Sequence, residues 1–275
     1  MNEKVQKFIR YNQTIEFKPA AQSEVDFLIR EHQAALAYPG DNFMPSLATQ
    51  GEAYLILSPA EKAPLGVFVV KDKVHLGLAY IRPPYQYLTR EIMEQFLEQF
   101  NIHYGFVASF DHQTIQLYLE FIQRSELQAY QFQLLHPDLL PKALPQIKLQ
   151  LAKPGDVAYM DSMAFLTNSS AYIRRQEAWI ARNEKDQPVG IGVLLPQIAN
   201  DAYLDIGMFV NPDARELGIG RSIAIRLMEV VLKVGRIPVA GCFYKNFEAR
   251  RTLESAGMTC IGTIFRFSFN KDRFK

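Results

Sequence analysis

The feature that most restricts what this chain can fold into is an order of elements that recurs on either side of one proline-rich stretch. Residues 134–145, LLHPDLLPKALP, carry prolines at 137, 141 and 145, and proline blocks both a continuing helix and a central strand. The stretch 134–146 therefore reads as a linker between a first unit, 1–133, and a second, 147–275. FKPAAQSEVDFL begins at Phe17 and LQLAKPGDVAYM at Leu149, each with the pattern of a short strand, a turn and a helix start. APLGVFVV and QPVGIGVLL set Gly66 opposite Gly190, and AYIRPP and MFVNPD set Pro83 opposite Pro212. The offsets of 132, 124 and 129 residues differ by no more than loop insertions would cause. Their order and spacing point to one unit present twice.

In the second unit, apolar or alternating runs bounded by Pro, Gly, Asn and Asp predict strands over 147–151, 178–182, 188–195, 202–210, 238–243 and 261–269. Helical segments are expected over 155–175, 218–234 and 247–256. This is an α/β (α+β) pattern with a mixed sheet. On the long helix, Ile219, Ile223, Leu227, Val230 and Val234 form one apolar stripe suited to packing on that sheet.

The strand ending at Asn211-Pro212 runs into Arg215-x-x-Gly218-x-Gly220 at the start of this helix. Glycines there let backbone N–H groups converge on an anion without a Cβ in the way, and a helix N-terminus adds partial positive charge. A pyrophosphate fits that description. Two other phosphate loops fail on residue identity. The dinucleotide fingerprint needs glycine where Ile223 stands, and the P-loop needs Gly-Lys-Ser/Thr where the chain has Gly220-Arg221-Ser222. Further on comes NFEARRTLESAGM, in which Asn246 suits an N-cap and Gly257 the residue just past a short helix.

Val210, Pro212, Arg215, Gly218, Gly220, Asn246, Ala249 and Gly257, in this order, resemble the GNAT superfamily of acetyl-coenzyme A dependent N-acetyltransferases. The resemblance implies the acyl-CoA N-acyltransferase fold, two GNAT-like mixed-sheet domains in tandem, and acetyl-CoA as co-substrate. It places Met208, Phe209 and Val210 beside the pantetheine arm. It gives the pyrophosphate to Arg215, Glu216, Leu217, Gly218, Ile219, Gly220, Arg221 and Ser222, and puts Asn246 on the other side of the cleft. Transfer to a primary amine of a small molecule or protein is the activity it implies. Asp205 is the nearest carboxylate on the preceding strand and the candidate base. The family's usual tyrosine acid is replaced by Leu253, which leaves Tyr244 as the substitute. The same replacement keeps a second reading open, a catalytically silent acyl-CoA binding or sensing module. A third, amide transfer from another acyl donor by a tandem relative, also stands. Arg250 or Arg251 could reach the 3′-phosphate of coenzyme A.

The first unit has RPPYQYLTRE, Arg82 to Glu91, opposite the glycines. It has no glycine there and two adjacent prolines, so it reads as a degenerate copy that binds no cofactor and shapes the acceptor cleft.

Thirty Lys and Arg against 29 Asp and Glu leave a net charge of +1, which offers no bulk field for nucleic acid or an anionic membrane. The histidines at 32, 75, 103, 112 and 136 show no close pair at ligand spacing, so no metal is expected. No apolar run approaches the roughly 20 residues needed to span a bilayer. Cys242 and Cys260 form no CxxC pair, and MNEKVQKFIRYNQ lacks a signal-peptide apolar run, so the cytoplasm is the expected compartment.

Overall fold

The structure is a computed structural model and describes residues 14–270. Its first unit runs β1 (Glu16–Ala20), α1 (Gln22–Ala35), α2 (Phe43–Thr49), β2 (Glu52–Leu57), β3 (Gly66–Lys71), β4 (His75–Ile81), α3 (Thr89–Gln99), β5 (Tyr104–Ala108), α4 (His112–Leu119) and β6 (Ile122–Gln133). The second runs β7 (Lys148–Leu151), α5 (Val157–Ser162), α6 (Ser169–Arg174), β8 (Ala178–Arg182), β9 (Pro188–Pro196), β10 (Tyr203–Val210), α7 (Ile219–Lys233), β11 (Ile237–Phe243), α8 (Phe247–Ser255) and β12 (Thr259–Phe269).

The two units repeat each other strand for strand. A Cβ added to Gly66 would lie 2.1 Å from the carbonyl oxygen of Tyr80, and one added to Gly190 would lie 2.6 Å from that of Phe209. Tyr80 and Phe209 each stand three residues before the matched prolines, Pro83 and Pro212. The same close strand approach thus excludes a side chain at the same place in both copies.

All described strands join one twelve-stranded sheet in the order β1-β2-β3-β4-β5-β12-β6-β11-β10-β9-β8-β7. The last strand of each unit is exchanged. β12 pairs antiparallel with β5 of the first unit, β6 pairs antiparallel with β11 of the second, and β6 and β12 pair with each other at the centre. A boundary in sequence is therefore not a boundary in space. The exchange leaves β1 and β7 as the outer strands, where the Pro19 ring in β1 removes no central ladder bond.

Four apolar clusters cover the sheet. In the first unit α3 and α4 supply Ile92, Met93, Phe96 and Leu117 to one, and α1 and α2 supply Val25, Leu28, Ile29 and Ala48 to another. In the second unit α7 buries Ile219, Ile223, Leu227 and Val231, while Met160 and its neighbours close the other side. The apolar stripe of α7 ends sooner than its spacing suggests. Val234 is 60% exposed, because the helix stops at Lys233 and the chain turns through Gly235 at φ +69°. Among the described residues, no helix is long and apolar enough to cross a membrane, and no three His, Cys, Asp or Glu side chains are grouped to hold a metal.

Candidate functional site

β10 and β11 run parallel and pair over three positions, Tyr203↔Ile237, Leu204↔Pro238 and Asp205↔Val239. Beyond Asp205 they diverge. β10 stays paired to β9 as far as Val210↔Gly190, so from Ile206 to Val210 it has a strand partner on one side only. The open end of this wedge is closed by the glycine junction. After a 3-10 turn over Pro212–Ala214 the chain passes through two left-handed positions, Glu216 at φ +63° and Gly218 at φ +73°, and enters α7. A Cβ on Gly218 would meet Leu144 only at 3.4 Å, so backbone conformation rather than crowding selects glycine here. The bond from Ser222 N–H to the Gly218 carbonyl, 3.0 Å, opens the helix ladder. Ile219, Gly220 and Arg221 therefore have no intrahelical acceptor for their amides, which makes an anion cradle at the positive end of the helix dipole.

The side chains expected at this cradle divide into two groups. Arg215, Glu216 and Leu217 are exposed, with the Arg215 guanidinium 5.7 Å from the centre of the Phe209 ring. Arg221 and Ser222 are engaged within the protein instead. Arg221 Nε donates to the Ser255 carbonyl at 2.9 Å. Ser222 is fully buried; its hydroxyl donates to Gly218 O at 3.0 Å and accepts from Leu144 N–H at 3.1 Å, which ties the linker across the start of α7. The cradle thus rests on the backbone of Gly218 to Arg221, and Ser222 anchors it from behind. Met208 and Val210 pack against the α7 cluster, and Phe209 stacks on Phe165 at 5.4 Å. Asn246 caps α8, accepting the Ala249 amide at 3.1 Å. Half-buried Tyr244 lies at the end of β11 with its ring 4.8 Å from Phe243 and 5.5 Å from Lys245 Nζ. Leu253 is sealed in the core, and Arg250 pairs with Glu254 at 2.8 Å over the Tyr130 ring.

Asp205 stands at the apex of the wedge, and the first unit completes its surroundings. Asn42 N–H, just before α2, donates to its carboxylate at 2.9 Å. The Asn42 side chain holds the β9–β10 connection, donating to Pro196 O at 3.0 Å and accepting from Ile198 N–H at 2.8 Å. Next to it Asp41 accepts from Phe43 N–H at 3.0 Å, and its carboxylate lies where a Cβ on Gly241 of β11 would be, 1.7 Å away. Burial pushes the Asp205 carboxyl up, the Asp41 charge adds to this, and the Asn42 amide opposes it, leaving a pKa of about 7. Burial raises Asp41 as well. Nothing in the sequence pattern joins Asn42 to Asp205, 163 positions away. The one local sign is the turn-forming Pro39-Gly40-Asp41-Asn42, which marks a loop without saying where it docks.

The corresponding wedge in the first unit is plugged. β4 and β5 pair in parallel at His75↔Tyr104 and Leu76↔Gly105 and then separate. Two side chains from α4 reach back into the gap: Gln113 Nε2 donates to Ile81 O, and Thr114 Oγ1 donates to Ala79 O at 2.9 Å. At its end the chain forms an unbroken 3-10 helix over Pro83–Leu88 that runs directly into α3, with Tyr85 N–H bonded to Arg82 O and Thr89 N–H to Gln86 O. No left-handed residue breaks it.

Comparison with known proteins finds an acetyltransferase (GNAT) model in each half of the chain. Residues 22–134 match the family described as "Acetyltransferase (GNAT) domain", and residues 146–258 the "Acetyltransferase (GNAT) family". No curated protein matches the chain in sequence. A GNAT-family acetyltransferase from Colwellia psychrerythraea superposes with a TM-score of 0.81 at 19% identity, covering 94% of this chain and 100% of that one. A GCN5-related N-acetyltransferase from Sphaerobacter thermophilus gives 0.61 at 14% identity, with coverage of 92% and 95%. A tandem GNAT protein from the clavulanic acid biosynthesis pathway gives 0.59 at 11% identity, with coverage of 93% and 98%. At these identities the solved structures speak to the fold.

Proposed function

The chain belongs to the acetyltransferase (GNAT) superfamily as two domains in tandem, and on that premise we propose that its second unit is an acetyl-CoA dependent N-acetyltransferase acting on a primary amine. The observation that carries this is a carboxyl with a pKa of about 7 at the apex of an open parallel-strand wedge whose far end is an anion cradle. Acetyl-CoA, when bound, supplies the acyl group as a thioester. The amides of Gly218 to Arg221 hold the pyrophosphate, with the exposed Arg215 adding positive charge beside them. The unpaired edge of Met208, Phe209 and Val210 lies alongside the pantetheine arm, and Asn246 with the start of α8 forms the opposite wall.

Asp205 accepts the proton that an ammonium must lose before it can attack a carbonyl carbon. A base serves best when its pKa lies near the working pH, and burial together with Asp41 brings Asp205 to that point. Tyr244, at the end of β11, is the hydroxyl assigned to protonate the leaving thiolate, since Leu253 has no proton to give. The buried Leu253 is also what favours the second reading, a silent acyl-CoA sensor. Release of coenzyme A thiol from acetyl-CoA across a panel of primary amines separates the two. Turnover with at least one amine supports the enzyme; tight acetyl-CoA binding without turnover on any amine supports the sensor.

A further inference from the structure

The linker passes from the end of α8 to the start of α7. The Pro141 ring lies 2.9 Å from the point where a Cβ on Gly257 would stand, and Leu144 Cδ1 lies 3.4 Å from the corresponding point on Gly218. Leu140, Ala143 and Leu144 pack against the α7 cluster, and Ile147 N–H closes a turn on the Leu144 carbonyl at 3.1 Å. Leu140 and Leu144 each precede a proline, which holds both toward extended backbone; Leu140 stands at ψ 120°. These contacts restrict the course the chain takes past the helix start.

The Ser222 side chain joins that course to the cradle. Leu144 N–H donates to Ser222 Oγ at 3.1 Å, and with that lone pair taken the hydroxyl donates to Gly218 O at 3.0 Å. The Gly218 carbonyl also accepts Ser222 N–H at 3.0 Å, so two donors from one residue fix its direction. Ser222 is 0% exposed, which keeps water from competing for these bonds. The carbonyl of Gly218 and the N–H of Ile219 belong to one planar trans peptide unit and point opposite ways. Holding the carbonyl along the helix axis therefore aims Ile219 N–H, which has no intrahelical acceptor, out of the helix start. Gly218, at φ +73° and without a side chain, would otherwise let this unit swing. In the first unit the position at the offset of Pro83 and Pro212 is Met93, which is buried in the core and carries no hydroxyl.

We infer that the linker is part of the coenzyme A site: Leu144 N–H, acting through the Ser222 hydroxyl, fixes the Gly218–Ile219 peptide with its N–H toward the pyrophosphate. Leu144 and Ser222 are thus positioning residues for the cofactor. They set the direction of a donor, and an N–H···O bond weakens steeply as its angle departs from linear. A serine hydroxyl bonded to the carbonyl four residues back is a common feature inside helices and by itself structural. The donor arriving from the linker is what commits this hydroxyl to Gly218. The inference rests on the proposed function in one respect: it takes the anion at the cradle to be the pyrophosphate of coenzyme A.

Calorimetry with coenzyme A on the intact protein, together with the NMR signal of the Ile219 amide in an isotope-labelled sample, tests this. Ser222→Ala removes the hydroxyl and Leu144→Pro removes the N–H. Each should weaken coenzyme A about tenfold, and 3′-dephospho-coenzyme A by the same factor, because both ligands carry the pyrophosphate. The displacement of the Ile219 amide signal on adding coenzyme A should shrink in both variants. Thr114→Ala, which takes a buried hydroxyl away from a strand carbonyl of the first unit, is the control for stability alone and should leave affinity and signal as in the parent. Unchanged affinity in either Ser222→Ala or Leu144→Pro, in a variant that still melts cooperatively, would overturn the inference, as would a loss that Thr114→Ala reproduces; both results leave the proposed function standing. Weakened binding in those two variants of a protein that transfers no acetyl group to any amine upholds the role of the linker and refutes the enzyme. A parent protein with no affinity for coenzyme A overturns both.

Discussion

In the first unit the gap between β4 and β5 is closed by Gln113 and Thr114, whereas in the second the gap between β10 and β11 is flanked by Glu248 and Ala249, the residues at the same places after the helix cap. Asp111 and Asn246 cap the two helices in the same way, each accepting the amide three residues on at 3.1 Å. The difference therefore lies one turn into the helix and not in its cap. Thr114 carries a hydroxyl that reaches a strand carbonyl, and the methyl of Ala249 carries no donor. At the other end of each gap, a 3-10 helix that never breaks uses its own amides, while two left-handed residues lead into α7 with the first-turn amides of Ile219, Gly220 and Arg221 left without an intrahelical acceptor. One fold leaves its wedge open or fills it according to whether its own side chains satisfy the backbone groups that the parted strands expose.

Separating the units is expected to have the largest effect. Residues 134–275 alone lack β6, which leaves β11 and β12 with bare edges at the centre of the sheet. Complete loss of a soluble, cooperatively melting product is expected by circular dichroism and size exclusion; a folded fragment that binds coenzyme A would show that the first unit is dispensable.

Asp205→Asn comes next. Loss of a general base lowers the transfer rate by roughly 10²–10⁴-fold, with coenzyme A affinity nearly unchanged, and equal rates would return Asp205 to a structural role. The same variant has a stability signature. Because its folded pKa of about 7 lies above the ordinary carboxylate value, the native state binds more protons than the unfolded chain between about pH 4 and 7, so Asp205 makes stability fall as pH rises through that window. Asn removes the penalty, and the variant should melt higher than the parent at pH 8 and differ little at pH 4.

Gly218→Val and Thr89→Val place one substitution at corresponding points of the two units. Valine at φ +73° is strained and stands at the cradle, so coenzyme A affinity should drop roughly a hundredfold, or about 2.7 kcal/mol. Thr89→Val should leave the affinity unaltered, and the parent should saturate near one equivalent of coenzyme A. Two equivalents, or an effect of Thr89→Val, would mean that the first unit also holds the cofactor.

Thr114→Ala removes the bond to Ala79 O and should cost about 1 kcal/mol, seen as a Tm lower by roughly 2–4 °C. The stoichiometry should stay at one, because the 3-10 helix still offers no cradle. The smallest effect belongs to Asp41→Asn. Removing the neighbouring charge withdraws a secondary cause of the raised Asp205 pKa, so the midpoint of the rate's rise with pH should move below 7, by less than about one unit. An upward move would mean that Asp41 supports the base rather than opposing its ionisation.

Local order was open to reading. Every strand of the second unit, with α7 and α8, falls within a residue or two of its expected bounds, since each carries its own periodicity and stop signals, whereas the helical stretch expected over 155–175 is broken between Ser162 and Ser169; the turn at Gly218 follows from a backbone angle that few other residues adopt. The stripe on α7 was overextended by one turn at Val234, because periodicity alone does not register where a cap ends a helix.

What the sequence determined by itself, then, was the repeated unit, its element order and the cradle, all of which depend on interactions within a few residues. The exchange of β6 and β12, the engagement of Ser222 with Leu144, the pairing of His32 with Asp111, and the meeting of Asp41 with Asp205 were decided only in the tertiary structure. The physical reason is that burial and a neighbouring charge act through distance in space: Asp205 is an ordinary carboxylate in the chain, and its pKa rises to about 7 only where folding buries it beside Asp41.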